Sequence, residues 1–136
     1  MEKVVAFTGG SGLLAVNMGL LMAKDYEVVL FLHKRNIQLQ NIRTVFVDLS
    51  SITEISYYLQ QFNVDILVNC AALTDVDACE KDPDSAMYIN ATFANNTAIA
   101  CSNIGVKLVH ISTDHLFDGK SLLYSEESPV NPMNSY

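Results

Sequence analysis

The feature that most constrains the fold is a glycine-rich turn, Gly9-Gly10-Ser11-Gly12, close to the start of the chain. An unbroken apolar run at residues 4–7 precedes Thr8 and this turn, and residues 4–8 together predict a strand that is buried on both faces. The pattern of residues 13–23, which follow the turn, predicts a helix. A buried strand, a tight glycine turn and a helix in this order are typical of the first unit of a parallel α/β sheet.

The rest of the chain alternates short apolar runs with helical periodicity, the pattern of parallel strands joined by crossover helices. We predict four further strands, at residues 27–32, 44–47, 65–69 and 106–112. Two further helices are predicted, one from Ser50 or Ser51 to residue 62 with Glu54 in a capping box, and one at residues 82–103 that begins at Asp82-Pro83 and stops before Gly105. The expected fold is a Rossmann-like, doubly wound parallel sheet of strand order 3-2-1-4-5, forming one domain over residues 1–136 that is truncated after the fifth strand.

Composition limits the classes of partner. Half of the 136 residues are apolar, enough for one compact core, and acidic residues exceed basic ones by 15 to 8. The net charge of −7 argues against nucleic acid or an anionic membrane as the main partner. No stretch approaches the ~20 apolar residues of a membrane span. Three cysteines without CxxC spacing indicate reduced thiols in a cytoplasm, and no spacing of histidines and cysteines predicts a metal site.

The glycine turn has the GxxGxxG form, with Ala15 in place of the last glycine. Gly9 permits a tight turn, Gly12 lets the backbone approach a pyrophosphate, and Ala15 allows close packing of helix and strand. The first N–H groups of the helix, together with its dipole, favour a phosphate there. The turn therefore predicts a bound dinucleotide, with contacts from Gly9, Ser11, Gly12, Leu13 and Leu14. The GxxxxGK[ST] loop of many nucleoside triphosphatases is absent.

The end of the second predicted strand bears on the choice of cofactor. Sites for NAD usually have an acidic residue there, about 20 residues after the turn. This chain has His33-Lys34-Arg35 instead, and basic side chains favour a 2′-phosphate, so we predict NADP, with NAD as the alternative. A solvated basic loop is the competing interpretation of these residues. Asp48-Leu49, after the third strand, is placed to contact the adenine, although a simple turn aspartate explains Asp48 almost as well.

From the fourth strand onward, the sequence resembles one family. The segments that carry the resemblance are VNCAALT at residues 68–74, DVDACE at 75–80, Asn90, HISTDHLFDG at 110–119 and NPMNSY at 131–136. They are similar to VINAAAYT, AVDKAE, a helix asparagine, STDYVFDG and NPLNxY of the dTDP-4-dehydrorhamnose reductase family. That family belongs to the extended short-chain dehydrogenases and reductases. The matches occur in the family's order and spacing over almost the whole chain.

The resemblance implies an NAD(P)H-dependent reductase of a 4-keto nucleotide sugar. In this family a tyrosine protonates the developing alkoxide, and a threonine hydroxyl contacts the carbonyl oxygen, which assigns Tyr136 and Thr113 as catalytic. Tyr136 also contacts the cofactor by family resemblance. The other cofactor contacts that the resemblance implies after the fourth strand are Cys70, Ala71, Ala72, Thr74, Asn90 and Ser112. Ala71 and Ala72 have a structural alternative, because small residues after a strand pack closely, and so has Ser112, because a Ser-Thr pair often caps a turn.

The chain differs from the family in one decisive respect. The lysine of the family's YxxxK motif, four residues after the tyrosine, is not among the 136 residues. We therefore expect a truncated, inactive fragment that self-associates or forms a homo-oligomer through its exposed fifth strand. A regulatory role is the first alternative, as in the dinucleotide-binding regulatory subunit of methionine adenosyltransferase, whose fold is similar. An epimerase or dehydratase of nucleotide sugars is the second.

Overall fold

The computed structural model describes residues 2–136 and contains one five-stranded parallel sheet. Its strands are β1 (Val4–Thr8), β2 (Glu27–Leu32), β3 (Arg43–Phe46), β4 (Ile66–Asn69) and β5 (Lys107–His110). They lie in the order β3-β2-β1-β4-β5, and all four pairings are parallel. The doubly wound order expected from the sequence is therefore confirmed.

In the part of the chain that the structure describes, five α-helices connect the strands. They are α1 (Leu13–Met22), α2 (Ile52–Gln61), α3 (Val76–Lys81), α4 (Pro83–Ala86) and α5 (Phe93–Ile104). A π-helical segment, Met87–Thr92, joins α4 to α5, and a short 3₁₀ turn, Asp114–Leu116, follows β5. Within residues 2–136, no helix combines the length and apolar character that a membrane span needs.

Both faces of β1 and β2 are covered, which explains why residues 4–7 of β1 are all apolar. Ala6 and Phe31 face a core that includes Ile55 and Leu59 of α2 and Phe93 of α5. The neighbouring strand residues point to the opposite face, where α1 provides the cover. Successive side chains of a strand alternate between faces, so a strand covered on both sides is apolar throughout.

The predicted helix boundaries rest on local capping interactions. Ser51 caps α2, since its side chain accepts the Glu54 N–H at 3.2 Å. The predicted capping box is only half formed, because the Glu54 carboxylate accepts the N–H of Asp48, at 3.0 Å, rather than that of Ser51. Asp82 accepts the Ser85 N–H at 3.1 Å, and Gly105 ends α5 with a φ of 74°. Glycine adopts this left-handed conformation without steric cost.

Two predicted elements were wrong in detail, and one helix was missed. The helix expected at residues 82–103 is interrupted by the π segment, where Asn90 turns its amide to the loop after β4. The fifth strand ends at His110 instead of residue 112, because Thr113 caps the following 3₁₀ turn. Helix α3 was not predicted, although Asp75 caps it by accepting the Ala78 N–H at 2.9 Å.

Strand β5 forms one edge of the sheet and carries exposed apolar side chains. Val109 is 39% exposed, and Ile111, just after the strand, is 41% exposed. Among residues 2–136, α5 is the helix that packs against β5. The expected apolar, unpaired edge is therefore present.

Candidate functional site

A cavity of about 290 Å³ opens beyond the carboxyl ends of the central strands. In open α/β sheets this is where ligands bind. The cavity extends from the glycine turn, past the ends of β2 and β3, to the loop after β4. Its lining residues are Gly9, Ser11, Gly12, Phe31, Leu32, His33, Val47, Leu49, Cys70, Ala71, Ala72, Leu73, Ile89 and Phe93.

The glycine turn lies pressed between two neighbouring strands. Gly9 has a φ of 61°, and a Cβ at this position would stand 3.0 Å from backbone atoms of Ala71. A Cβ on Gly10 would stand 2.8 Å from the Leu30 Cβ, and the Gly10 N–H donates to the Phe31 carbonyl at 2.9 Å. Gly10 was not singled out from the sequence, yet it holds the turn against β2. Two adjacent glycines at a strand-to-helix turn are the signal that indicates such close packing.

The start of α1 presents backbone donors without competition from a side-chain cap. Gly12 occupies the cap position and has no side chain that could accept a hydrogen bond from the first N–H groups of the helix. The N–H groups of Leu13, Leu14 and Ala15 have no acceptor within the helix, as for every helix start. Ala15 is fully buried and packs α1 against the sheet. Leu13 and Leu14 are exposed and their side chains do not line the cavity, so only their backbone is suited to contact an anion.

A polar ladder, buried at Thr8 and Asn69 and exposed at His110, joins the carboxyl ends of β1, β4 and β5. The Thr8 hydroxyl donates to the Asn69 Oδ1, and the Asn69 amide nitrogen lies 3.0 Å from the His110 Nδ1. Thr8 and Asn69 are both at most 1% exposed. The Thr8 hydroxyl oxygen also accepts the N–H groups of Cys70 and Ala71, at 3.1 and 3.2 Å. This ladder fixes the backbone of the loop that lines the cavity.

Asn90 fixes the same loop from the other side. Its Oδ1 accepts the Leu73 N–H at 2.7 Å, and its amide nitrogen donates to the Leu73 carbonyl at 3.1 Å. The Cys79 thiol of α3 donates to the same carbonyl at 3.5 Å. The amide of Asn90, predicted to contact the cofactor, is thus engaged with the protein backbone in this structure. The asparagine positions Leu73, which lines the first cavity.

A second cavity, of about 270 Å³, adjoins the first. Its lining residues are Ala71, Ala72, Ala86, Met87, Asn90, Ala91, His110, Ile111, Ser112, Thr113, Leu116, Ser135 and Tyr136. Ala71 and Ala72 line both cavities, so the two spaces meet at the loop after β4. The structure therefore brings Thr113 and Tyr136 to one cavity, next to these two alanines.

The segments carrying Thr113 and Tyr136 are held by local hydrogen bonds. The Thr113 hydroxyl oxygen accepts the His115 N–H at 3.1 Å, so the threonine caps a turn while lining the cavity. The Asn134 side chain accepts the Tyr136 N–H at 3.2 Å through its oxygen, and its nitrogen lies 3.1 Å from the His115 Nδ1. The rings of His115 and Tyr136 meet edge to face, with centroids 5.2 Å apart.

Asp118 organises the loop between β5 and Tyr136. It accepts the Tyr124 hydroxyl at 2.7 Å, the Lys120 N–H at 3.2 Å and the Asn131 amide at 3.2 Å. These donors, with Tyr124 the foremost, hold the pKa of the Asp118 carboxyl well below its usual range. The Asn131 N–H in turn donates to the carbonyl of Leu116, which lines the second cavity.

The remaining predicted contacts divide into two groups. His33, Leu49, Cys70 and Ser11 line the first cavity, and Ser112 lines the second. Burial raises the pKa of the Cys70 thiol, which keeps it protonated. Predicted residues whose side chains line neither cavity are Leu13, Leu14, Lys34, Arg35, Asp48 and Thr74.

Asp48 behaves as a turn residue. Its carboxylate accepts the Ser50 N–H at 2.8 Å, and hydrogen bonds from Ser50 lower the pKa of Asp48. This is the alternative that the sequence left open for Asp48. Residues 2–136 contain no cluster of three or more metal-ligating His, Cys, Asp or Glu side chains.

The glycine turn, the bare helix start and the cavities at the strand ends define the class of Rossmann-type nucleotide-binding domains. The chain belongs, within that class, to the family described as the RmlD substrate binding domain, whose model matches residues 3–136. The family resemblance inferred from the motifs is thereby confirmed.

Known proteins similar to this chain include a polysaccharide biosynthesis protein, a subunit of methionine adenosyltransferase and a reductase. The chain is 36% identical to the spore coat polysaccharide biosynthesis protein SpsK of Bacillus subtilis, over all of this chain and 44% of SpsK. It is 31% identical to the methionine adenosyltransferase 2 subunit beta of Bos taurus, over 99% of this chain and 40% of that protein. The structure of the dTDP-4-dehydrorhamnose reductase of Bacillus anthracis in complex with NADP superposes on all of this chain and 45% of that one. Its TM-score is 0.86, at 33% identity. This chain thus spans less than half the length of these three proteins.

Proposed function

We propose that this chain provides the dinucleotide-binding part of an NADPH-dependent reductase that acts on a 4-keto nucleotide sugar. The observation that carries the proposal is the meeting of the two cavities at Ala71 and Ala72. One cavity begins at the glycine turn, and the other is lined by Thr113 and Tyr136. A binding crevice and two hydroxyl groups at its far end are what a carbonyl reductase needs.

The residues of the first cavity fit a dinucleotide. The backbone at Gly9 and Gly10 lies so close to β2 and β4 that a Cβ has no room, whereas a Cβ on Gly12 would meet only the Gly9 carbonyl. Space therefore remains open in front of the helix start, where backbone N–H groups favour a pyrophosphate. Apolar side chains of Leu49 and Phe93 line the same cavity and suit a flat heterocycle. The bound dinucleotide supplies the hydride.

The chain's own residues then orient the carbonyl and provide a proton. The Thr113 oxygen accepts the His115 N–H, which leaves the hydroxyl hydrogen free to bond a substrate oxygen. Tyr136 lines the same cavity, and its phenol is the group we propose as the acid that protonates the developing alkoxide. Small side chains at Ala71 and Ala72 leave room for the reacting groups between the two cavities.

We propose NADP as the preferred cofactor over NAD. The supporting features are the basic residues His33, Lys34 and Arg35 at the end of β2, and the NADP complex of the similar Bacillus anthracis reductase. Because Lys34 and Arg35 are exposed, they are free to approach a 2′-phosphate at the mouth of the cavity. The three cysteines are unpaired, which suits the reducing cytoplasm that we propose as the location.

The 136 residues alone are proposed to bind the cofactor without turnover. The family's lysine corresponds to the fourth position after Tyr136, outside these residues. An isolated phenol has a pKa of about 10, poorly matched to proton donation at neutral pH. A regulatory, non-catalytic role is the second candidate, favoured by the similarity to the methionine adenosyltransferase 2 subunit beta. The coding sequence after Tyr136 separates the two, because lysine at the fourth position supports catalysis and another residue supports regulation.

Titration of the chain with NADPH and NADH tests the proposed function. We expect saturable binding of both, tighter for NADPH, and a selective loss of NADPH affinity in the double variant Lys34→Ala, Arg35→Ala. Lys24→Ala is the matched control, because this exposed lysine precedes the opposite end of β2. Failure of the wild-type chain to bind either dinucleotide would overturn the proposal.

A further inference from the structure

Tyr136 is connected to the loop after β4 through a side chain of α3. Glu80, near the end of α3, accepts the N–H of Ser135 through its Oε1. The two residues are 55 positions apart, so this bond joins separate parts of the fold. It fixes the backbone immediately before Tyr136.

Helix α3, which carries Glu80, is itself fixed to the cavity wall. Cys79, the residue before Glu80, is fully buried, and its thiol donates to the Leu73 carbonyl. Asn90 binds the N–H and the carbonyl of the same Leu73. These contacts therefore hold Glu80 in a fixed position relative to the loop that lines both cavities.

Two further side chains, those of Asn134 and His115, contact the backbone and the ring of Tyr136. Asn134 accepts the Tyr136 N–H and contacts the ring nitrogen of His115, whose ring meets the Tyr136 ring edge to face. The Asn134 amide donates to His115 Nδ1, so the imidazole orientation is set by the segment that leads into Tyr136. Backbone and ring of Tyr136 are thus held from independent directions.

We infer that three side chains, those of Glu80, Asn134 and His115, hold Tyr136 in place; we call this set the Tyr136 clamp. Within it, Glu80 is a positioning residue that holds the phenol next to Ala71 and Ala72. The inference rests on the proposed function for its purpose, since proton transfer to the substrate is what requires the phenol at this place. Its geometry stands on contacts that exist without any ligand. A proton donor must be held within hydrogen-bond reach of the group it protonates.

Glu80→Ala and Glu80→Gln, examined by NMR of the isotope-labelled 136-residue chain, test the clamp. Glutamine keeps an Oε1 acceptor, so only alanine removes the bond to Ser135. We expect hydrogen exchange of the Ser135 amide to rise about tenfold in Glu80→Ala, as for loss of a hydrogen bond to a charged group. The nuclear Overhauser effect between the His115 and Tyr136 rings should weaken in that variant. In Glu80→Gln, the exchange rate of the Ser135 amide and this nuclear Overhauser effect should both equal those of the wild type.

Lys81→Ala is the control, since it removes a long exposed side chain from the same helical turn. Unchanged exchange and ring contacts in Glu80→Ala would overturn the inference, and so would equal changes in Lys81→Ala. These measurements need no cofactor. A wild-type chain that binds no dinucleotide would therefore refute the proposed function and not the clamp.

Discussion

The amide nitrogen of Asn69 lies 3.0 Å from Nδ1 of His110, at paired positions in the register of β4 and β5. The Oδ1 of Asn69 accepts the hydroxyl of Thr8, the residue paired with Asn69 on β1. One buried side chain thus links three strand ends at the edge where the two cavities open. A buried amide is tolerated because both of its ends are hydrogen-bonded.

Replacing Asn69 with alanine should destabilise the fold. The substitution leaves the buried Thr8 hydroxyl without its acceptor, and an unsatisfied buried polar group costs about 1–3 kcal/mol. Chemical denaturation should show a loss of this size in the free energy of unfolding. Asn95→Ala, at an exposed position of α5, should change stability by less than about 0.5 kcal/mol. Equal stability of Asn69→Ala and the wild type would contradict the role of the ladder.

Two glycines with similar positive φ angles allow steric and conformational costs to be separated. Gly9 has a φ of 61° and a crowded Cβ position, whereas Gly119 has a φ of 70° and nothing within 4 Å of its Cβ position. Gly119→Ala should cost about 1 kcal/mol, the strain of a left-handed alanine. Gly9→Ala should cost more than this and also weaken NADPH binding, because the Ala71 backbone must move. Comparable losses of stability in both variants would show that crowding at Gly9 is relieved cheaply.

The acid sensitivity of the chain should depend on Asp118. Its folded-state pKa is lowered, chiefly by the Tyr124 hydroxyl, so the carboxylate stabilises the fold above its unfolded pKa of about 3.9. That contribution is lost as the pH falls below this value and the carboxylate becomes protonated. Asp118→Asn should therefore show a shallower fall of the unfolding midpoint between about pH 4 and pH 2. Asp25→Asn, an exposed aspartate before β2, should retain the wild-type slope. An identical acid slope in Asp118→Asn would refute this contribution.

The parts of the fold that the sequence predicts well depend on neighbours along the chain. The turn at Gly9, the caps at Ser51 and Asp82, and the stop at Gly105 each involve contacts within a few residues. The alternation of apolar runs and helices predicts a parallel sheet with crossover helices, and the order 3-2-1-4-5 is that of the Rossmann-like class that the glycine turn indicates. Local chemistry is therefore enough for most element boundaries.

The parts that were missed depend on residues distant in sequence. The π segment contains Asn90, which binds Leu73 17 residues earlier, and Glu80 binds Ser135 55 residues later. No periodicity or capping pattern reports such pairs. Likewise, only the folded cavity walls separate His33 and Leu49, which line the crevice, from Lys34 and Asp48, which do not.

Strand β5 should drive self-association of the chain. It is an edge strand whose Val109 side chain is 39% exposed, and apolar unpaired edges promote pairing with another copy. Sedimentation should show a concentration-dependent shift above the monomer mass, and Val109→Lys should reduce that shift, because a charge on an edge strand opposes pairing. The control is Leu122→Lys, which places the same charge on a fully exposed loop residue away from the strand. A monodisperse wild-type monomer, or an equal effect of both lysines, would mean that β5 is not the contact surface.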